Sequence, residues 1–399
     1  MSAQHITVVK PRSAPPETAE SKELQSHKCH PLGVRPRRSP LLRVLFITPN
    51  LVMGGVEHWL LGLLANNPAQ LSWMVAVTNP GAIEPEIRRQ AEVFAEVVTG
   101  ELAVPALVQC SDIVLAWGVA GLNRWLQKFR GPVVQVSHGC GAWTESFLTT
   151  NRVVETHAVA VSRDAASAFA HNRVTIIPNG VDPRRCEPHR TRDEVRREWG
   201  LLPQEIAVGF VGRISPEKNP LATSRAVCAL GAGYRAVYVG KGYGEDLRPA
   251  ARNITPDAIL VEPMHHVGDA LHALDCLIMA SPAEGFSLVL IESLMARLPV
   301  VATRVGVVRD LDEDHGLQLI TVPIDPSPRQ LAMAVQQAIS PVNRALVKQA
   351  QTVAFSHYSV QTMAQRWADY FLSITNNGIH ATSDDRSRNG NRGRTGGTP

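Results

Sequence analysis

Short apolar runs alternate with helical patterns along most of the chain, and this alternation restricts the possible folds more than any other feature. Runs that are apolar on both faces are typical of parallel strands covered by helices on either side. The intervening segments, for example 56–66 and 83–94, have the spacing of helices. The first series of runs lies at 43–48, 72–77, 112–117, 132–137, 157–162 and 174–178. This succession predicts a doubly wound α/β domain over residues 43–182.

A second series of the same kind follows a segment with the composition of a linker. The stretch PNGVDPRRCEPHR (178–190) is rich in proline and charge. Behind it, RDEVRREWG (192–200) predicts a short helix with Gly200 at its C′ position. Strand runs then lie at 206–212, 235–240, 258–262, 276–281 and 299–303, with helices near 220–230, 267–274 and 288–297. We therefore predict a second domain over 183–358, followed by an amphipathic helix at 359–375.

Two similar domains joined by one linker leave a cleft between them. Open parallel sheets bind ligands beyond the carboxyl ends of their strands, so the cleft is the expected place for a site. The predicted fold class is α/β, with two Rossmann-like doubly wound domains that face a central cleft.

The positive charge of the chain is concentrated at its two ends. The net charge of the 399 residues is +4, whereas residues 1–43 alone hold eight Lys or Arg and three Glu. The body between the ends is net negative, which argues against a nucleic-acid-binding protein. Neither 1–42 nor 376–399 has the apolar content to form a core, so both are predicted to be disordered tails. Such tails either contact an anionic membrane surface peripherally or only keep the chain soluble.

Other compositional features indicate a cytoplasmic protein. No apolar run of eighteen residues predicts a transmembrane helix, and the N-terminus lacks the apolar region of a secretory signal. The six cysteines are scattered without a C-x-x-C pair, which is typical of reduced thiols rather than of a metal site. We expect a cytoplasmic location, with peripheral contact at the inner membrane face as an option.

Glycines and cations follow several strands at the ends that should border the cleft. Gly54 and Gly55 lie between a strand and a helix, where they permit close backbone approach of an anion or form only a tight turn. Arg213 and Lys218 follow another strand and suit a diphosphate, because Arg binds two oxygens and Lys adds a point charge. The alternative is a solvated loop.

Two further motifs are weaker. His138 ends an apolar strand and can act there as a base, a hydrogen-bond donor or a sugar ligand, or be structural. The glycines of GKGYG (240–244) are similar to a dinucleotide fingerprint, but their spacing is G-x-G-x-G, so a glycine-rich turn is favoured. The pair 265–266 of histidines lacks acidic or cysteine neighbours, so no zinc site is expected.

The stretch PAEGFSLVLIESLMAR (282–297) carries two carboxylates eight positions apart in apolar surroundings. Glu284 is predicted on a loop, Ser287 at the N-cap of a helix, and Glu292 just beyond the first helical turn. The helix N-terminus favours a phosphate, and a carboxylate one turn later can accept hydrogen bonds from a vicinal diol such as a ribose. Alternatively, one carboxylate caps the helix and the other is solvated.

Taken together, these stretches resemble the GT-B glycosyltransferases, and within them the retaining family 4 type, over most of residues 43–375. The matching pieces occur in the family's order and are GGVE (54–57), SHG (137–139), IPNGVD (177–182), VGRISPEKN (211–219), EGFSLVLIE (284–292) and LPVVAT (298–303).

The resemblance implies a UDP- or GDP-linked sugar donor held mainly by the second domain. Arg213 and Lys218 would bind and neutralise the diphosphate leaving group. Glu292 would hold the ribose hydroxyls, and Glu284 would contact the transferred sugar. The backbone that lines the phosphates and sugar would belong to Gly285, Phe286, Ser287 and Leu288.

It also implies roles for the first domain and a reaction course. Gly55 would approach the phosphates, and His138 would lie near the reacting carbon. The acceptor, a glycan or a lipid-linked molecule, would attack on the leaving-group face, with a donor phosphate oxygen taking its proton. No metal and no other cofactor is expected. The acidic run 310–316 is predicted to be a solvated turn.

The chain departs from the family pattern just downstream. The family commonly has G-G-x-x-E after VVAT, whereas Val307 and Arg309 stand here where Gly and Glu would be expected, and Arg297 replaces a Gly. We expect these positions to lie near the donor end of the second domain. They leave open a catalytically weak GT-B-like protein that binds a nucleotide or glycan. A nicotinamide oxidoreductase has only GKGYG in its favour.

Overall fold

The computed structural model describes residues 41–151, 157–169, 173–242 and 246–388. For residues 142, 143 and 376–388 it describes the backbone only. Most of the N-terminal tail predicted for 1–42, the end of the C-terminal tail, and Gly244 of GKGYG lie outside the described residues.

The first sheet is parallel and seven-stranded, and it follows the predicted pattern closely. Its strand order is β3-β2-β1-β4-β5-β6-β7, so the order reverses between β1 and β4. There Ile47 of β1 pairs with Ala116 of β4. The strands are β1 (Leu42–Thr48), β2 (Leu71–Val77), β3 (Glu96–Thr99), β4 (Ile113–Ala116), β5 (Val133–Ser137), β6 (His157–Ala160) and β7 (Val174–Ile176).

The second sheet is also parallel, with six strands in the order β10-β9-β8-β11-β12-β13. Its order reverses between β8 and β11, where Leu277 pairs with Gly209. Ligands of open parallel sheets bind beside such reversals. The strands are β8 (Ile206–Val211), β9 (Tyr234–Val239), β10 (Ile259–Val261), β11 (Cys276–Met279), β12 (Val300–Thr303) and β13 (Ile320–Val322).

Two strands had no counterpart in the sequence prediction. β3 (EVVT) has four residues and β13 (ITV) has three, and each is an edge strand of its sheet. Edge strands pair on one side only and need little apolar sequence, so their pattern is faint. The two predicted series otherwise match the two sheets.

Helices cover both sheets, as parallel strands require. Those of the first half are α1 (Gly55–Ala65), α2 (Pro85–Glu92), α3 (Val104–Cys110), α4 (Asn123–Leu126), α5 (Ala142–Thr150) and α6 (Arg163–Ala166). Those of the second half are α7 (Arg192–Glu198), α8 (Leu221–Leu230), α9 (Arg248–Ile254), α10 (Val267–Ala273), α11 (Leu288–Met295), α12 (Val307–His315), α13 (Pro328–Ile339), α14 (Arg344–His357) and α15 (Val360–Arg388). Within the described residues no helix is both long and apolar enough to cross a bilayer.

The C-terminal helix α15 returns to the first half of the molecule. Trp367 and Phe371 are fully buried in the same core cluster as Trp59 of α1 and Trp73 of β2. The helix does not end at 375 as predicted but continues to Arg388. No proline interrupts this segment, and extending a helix that is already anchored costs far less than nucleating one.

The chain crosses between the two halves twice, and the crossings lie side by side. Val181 donates its N–H to Tyr358 O, and Val360 donates to Val181 O, both at 2.9 Å. A Cβ on Gly180 would lie 2.6 Å from Ser359 O, so a larger residue cannot take this position. The two crossings therefore form one paired connection rather than two independent linkers.

Candidate active site

A cleft of about 570 Å³ lies beyond the carboxyl ends of the strands, between the two halves. Loops that follow β1, β5, β8 and β11 line it, next to both points at which the strand order reverses. All residues predicted for the site line this cleft, and they are Gly55, His138, Arg213, Lys218, Glu284, Gly285, Phe286, Ser287, Leu288 and Glu292. The fold thus brings together residues that are up to 237 positions apart, as between Gly55 and Glu292.

A larger groove of about 740 Å³ runs along the edge strand β10 and contains none of these residues. Four of its charged side chains pair with one another, Arg190 with Glu198 and Arg235 with Asp257. The cleft, by contrast, gathers side chains from both halves of the chain. We therefore take the cleft as the candidate site.

Lys218 and Glu284 form the central ion pair of the cleft. Lys218 Nζ lies 2.8 Å from Glu284 Oε1 and 2.7 Å from Oε2. The Glu284 side chain is only 7% exposed and that of Lys218 is 27% exposed. A buried carboxylate is costly without a partner, and the ammonium supplies one. Lys218 is brought there by a 3₁₀ turn (Pro216–Lys218) that follows β8.

Arg213 lies on the same loop but is more open. Its side chain is 55% exposed, and its Nη2 atom lies 3.7 Å from Glu217. Arg213 and Lys218 therefore present one exposed and one half-buried positive charge.

The loop of Glu284 is wedged against the first half. A Cβ on Gly285 would lie 2.0 Å from His138 O, so only glycine permits this approach. The Ser162 hydroxyl donates a hydrogen bond to Gly285 O from the start of α6. The loop's shape thus depends on residues of both halves.

Ser287 stands at the predicted N-cap of α11, but its hydroxyl makes no cap hydrogen bond. Its backbone has φ = 94° and ψ = 94°, whereas a serine that caps a helix normally has an extended backbone. The predicted N-cap position is confirmed, but the serine side chain does not cap the helix. The first N–H groups of α11 therefore remain available to an anion in the cleft.

Glu292 has a partner that the sequence did not indicate. Arg185 Nε donates to Glu292 Oε1 at 3.1 Å, and the Glu292 side chain is 7% exposed. Arg185 belongs to the 3₁₀ turn Pro183–Cys186 and also lines the cleft. The two arginines that follow PNGVD, Arg184 and Arg185, were the sequence signal for a cation near this carboxylate. Only the structure shows that Arg185, and not Arg184, lines the cleft.

His138 is held between two tryptophans. Its ring centroid lies 4.6 Å from that of Trp59 and 5.2 Å from that of Trp117. The residue as a whole is half-buried, but both ring nitrogens are covered and have no hydrogen-bond partner among the described residues. Burial lowers the pKa of His138 to about 3, so its imidazole is neutral at physiological pH. A general base is therefore disfavoured, whereas a neutral hydrogen-bonding group and the structural role both agree with this burial.

Two more polar side chains of the cleft were missed by the sequence reading. Burial and the nearby charge of Arg185 lower the pKa of His58 to about 4. Asn179, in PNGVD, is buried, and its Oδ1 has no partner in the described part of the chain. A buried orphan acceptor beside a cleft is a candidate for ligand contact.

The residues that depart from the family pattern lie differently from what we expected. Arg297 does not line the cleft. It follows the far end of α11 at φ = 58°, where helices commonly place glycine, and its Nε donates to Gln351. Val307 is fully buried at the start of α12. Counted from Gly306, the acidic position of G-G-x-x-E is Asp310 rather than Arg309, so a carboxylate is retained there.

The acidic run 310–316 is not a solvated turn, which corrects the prediction. It forms most of α12, and Asp310 is 1% exposed. Arg163 of α6 contacts Asp310 at 3.0 Å and Glu313 at 3.2 Å, and it also pairs with Asp314. The run was predicted to be solvated because Arg163, the cation that pairs with Asp310, lies 147 positions away in sequence. Burial raises the pKa of Asp310, with Arg163 opposing the shift.

Within the described residues no group of three or more His, Cys, Asp or Glu side chains could hold a metal ion. The charged groups of the cleft are paired as cation with carboxylate, as in Lys218–Glu284 and Arg185–Glu292. This arrangement suits an organic anion that carries hydroxyl groups.

Comparisons with known proteins show what the chain is similar to. Residues 205–340 match the family model of glycosyl transferases group 1. A putative teichuronic acid biosynthesis glycosyltransferase, TuaC of Bacillus subtilis (strain 168), is 36% identical over 151 residues, which are 37% of each chain. A GDP-mannose-dependent alpha-mannosyltransferase of Mycobacterium tuberculosis (strain CDC 1551 / Oshkosh) is 31% identical over 174 residues, 42% of this chain and 43% of that protein. The chain thus spans less than half the length of these relatives.

The fold has a solved counterpart. The crystal structure of Anabaena Alr3699/HepE in complex with UDP has a TM-score of 0.71 at 20% identity, covering 83% of this chain and all of that one. The predicted α/β fold of two Rossmann-like domains is confirmed. The chain has the two-domain fold of that structure, and residues 205–340 match the model of the glycosyl transferases group 1.

Proposed function

We propose that this chain is a glycosyltransferase that moves a sugar from a UDP- or GDP-linked donor to a glycan or lipid-linked acceptor. The family match of residues 205–340 supports transfer from a nucleotide-sugar. The observation that carries the proposal is the set of charges in the cleft. Two ion pairs lie there beside the N-terminus of α11. They are Lys218 with Glu284 and Arg185 with Glu292, and both carboxylates are nearly buried.

The proposed donor fits these charges along its length. The diphosphate lies at the N-terminus of α11, where free N–H groups and the helix dipole favour negative charge. Arg213 and Lys218 neutralise it from the β8 side. Glu284 contacts hydroxyls of the sugar, and Glu292 accepts hydrogen bonds from the ribose diol. Gly55 at the start of α1 approaches the phosphates from the opposite wall.

We further propose a retaining reaction. The acceptor oxygen bonds to the anomeric carbon on the face that the diphosphate leaves, and a donor phosphate oxygen takes the acceptor's proton. The cleft then acts mainly by stabilising the leaving diphosphate. The low pKa of His138 agrees with a role in hydrogen bonding near that carbon rather than in proton abstraction. No metal ion is proposed for the reaction.

A lipid-linked acceptor would bring the protein to a membrane surface peripherally. The part of the chain suited to an anionic surface is the positively charged segment 1–43. A glycan acceptor would not need this contact. Product analysis with both acceptor classes separates them.

The experiment is a donor screen with matched readouts. UDP- and GDP-sugars are added to the purified full chain, binding is followed by thermal shift, and release of nucleoside diphosphate is followed with candidate acceptors. Glu284→Ala is the control and should abolish release. Binding without release in the wild type would favour the alternative of a catalytically weak binding protein. No response to any nucleotide-sugar would refute both.

A further inference from the structure

We propose that Arg185 is a positioning residue for the nucleotide, which sets the orientation of Glu292 and thereby gives the cleft its preference for a ribose over a 2′-deoxyribose. This inference rests on the proposed function, because it assigns a partner to the carboxylate that holds the ribose.

The turn that carries Arg185 is fixed firmly. Asp182 caps it by accepting a hydrogen bond from Arg184 N at 3.0 Å. The next residue, Cys186, is buried in the core, with its Sγ 3.9 Å from Met295 Sδ of α11. On the other side, a Cβ on Gly268 would lie 2.3 Å from Glu187 O. The turn is therefore docked closely against α10 and α11, and the guanidinium starts from a rigid base.

Arg185 is the only hydrogen-bond partner of the Glu292 side chain among the described residues. It occupies Oε1 through Nε, which leaves Oε2 to accept from a ligand hydroxyl. A carboxylate held at one oxygen presents the other in a defined direction, so part of the ordering cost is met before the ligand arrives. Without Arg185, the nearly buried carboxylate would lose its one partner and its fixed rotamer.

The neighbours of Arg185 show that its charge reaches into the cleft. Its side chain is 40% exposed and lines the cleft together with Glu292 and His58. Burial, together with the charge of Arg185, lowers the pKa of His58 on α1 of the first half to about 4, so His58 is neutral beside Arg185. The adjacent Arg184 is 80% exposed, pairs with Asp182 and does not line the cleft.

The test measures the ratio of dissociation constants for a 2′-deoxynucleoside diphosphate and its ribonucleoside counterpart. UDP, GDP, ADP and CDP are first compared on the wild-type full chain by calorimetry to find the base that binds. The same base is then measured in its 2′-deoxy form. One hydrogen bond to a carboxylate should make the wild-type ratio roughly 10 or more.

The variants separate positioning from folding. Arg185→Met should weaken the ribonucleotide roughly tenfold, leave the 2′-deoxy form nearly unchanged and bring the ratio close to about 1. Arg185→Lys should restore part of the ratio, because lysine supplies charge without the planar fork. Glu292→Gln should also lower the ratio, and adding Arg185→Met to it should change little more. Arg184→Met is the matched control and should behave as wild type.

Two failures can be told apart. If the wild type binds ribonucleotides with a clear 2′-hydroxyl preference and Arg185→Met keeps that preference, the positioning role is refuted and the proposed function stands. If the wild type binds none of the four nucleoside diphosphates, the proposed function and this inference both fail. Equal weakening of both nucleotide forms by Arg185→Met would assign the arginine a general electrostatic role instead and overturn the proposal.

Discussion

The Lys218–Glu284 pair should respond asymmetrically to the loss of either partner. Glu284 is 7% exposed and its carboxylate contacts Lys218 Nζ through both oxygens, whereas Lys218 is 27% exposed. Lys218→Met would leave a nearly buried carboxylate without its cation. Glu284→Gln would leave an ammonium that can turn toward water. We therefore expect the first change to destabilise the protein more than the second.

The magnitude follows from burial. Removing one partner of a fully buried pair costs about 3–5 kcal/mol, and the partial exposure of Lys218 reduces this to about 2–3 kcal/mol. Glu284→Gln should cost only about 0–1 kcal/mol, as for exposed pairs. The double variant should regain most of the loss, because it removes the stranded charge. At about 2–4 °C per kcal/mol, the Tm of Lys218→Met should fall by roughly 4–12 °C.

Nucleotide binding gives an independent readout of the same pair. A diphosphate must draw Lys218 away from Glu284, so Glu284→Gln should bind nucleoside diphosphate at least as tightly as the wild type. The same variant should lose sugar transfer. Lys218→Met should weaken diphosphate binding by roughly 10–100-fold, the range for hydrogen bonds to charged groups. Thermal melts and calorimetry on the four proteins test both points. Equal destabilisation by the two single changes, or additive losses in the double variant, would refute the reasoning.

Three further outcomes are expected. Burial holds the pKa of His138 at about 3 in the folded state, below its ordinary value of 6.5. The unfolded chain therefore takes up a proton first, and the free energy of unfolding falls as the pH drops below about 6.5. Urea unfolding at pH 7 and pH 5 measures this fall, which should be smaller by on the order of 2 kcal/mol in His138→Phe. Sugar transfer should survive EDTA, and a loss reversed by Mg²⁺ would contradict the metal-free mechanism. Arg297→Gly should raise stability by about 1 kcal/mol, since φ is 58° there, and leave the donor KM unchanged; a raised KM would place Arg297 in the donor site after all.

The sequence predicted those parts of the molecule that depend on neighbours along the chain. Strand periodicity located eleven strands of the two sheets, and loops at their carboxyl ends identified the residues that line the cleft. The prediction failed where the partner is remote. Ser287 stands at the predicted N-cap without a capping bond, and the loop before it contacts Ser162 and His138 of the other half. Periodicity carries no information on such contacts.

The same distinction explains why Arg185 was not singled out and why Asp310 was assigned to a solvated turn. Each lies in a segment rich in charged residues, which is typical of an exposed surface. Each instead pairs with a residue more than 100 positions away, Arg185 with Glu292 and Asp310 with Arg163. A charged residue is assigned to the surface by default, and only a three-dimensional partner changes that assignment.

Contacts between the two halves also bear on the shape of the donor loop. Ser162 holds Gly285 O, and two positions on, Asp164 Oδ2 accepts from Gly306 N at 2.6 Å. A Cβ on Gly306 would lie 3.0 Å from Glu284 O, so Gly306 packs directly against the same loop. The start of α6 therefore contacts the Glu284 loop both directly and through the segment that precedes α12. A separation of the two halves would break both hydrogen bonds, so the position of the Glu284 loop depends on contacts between the halves.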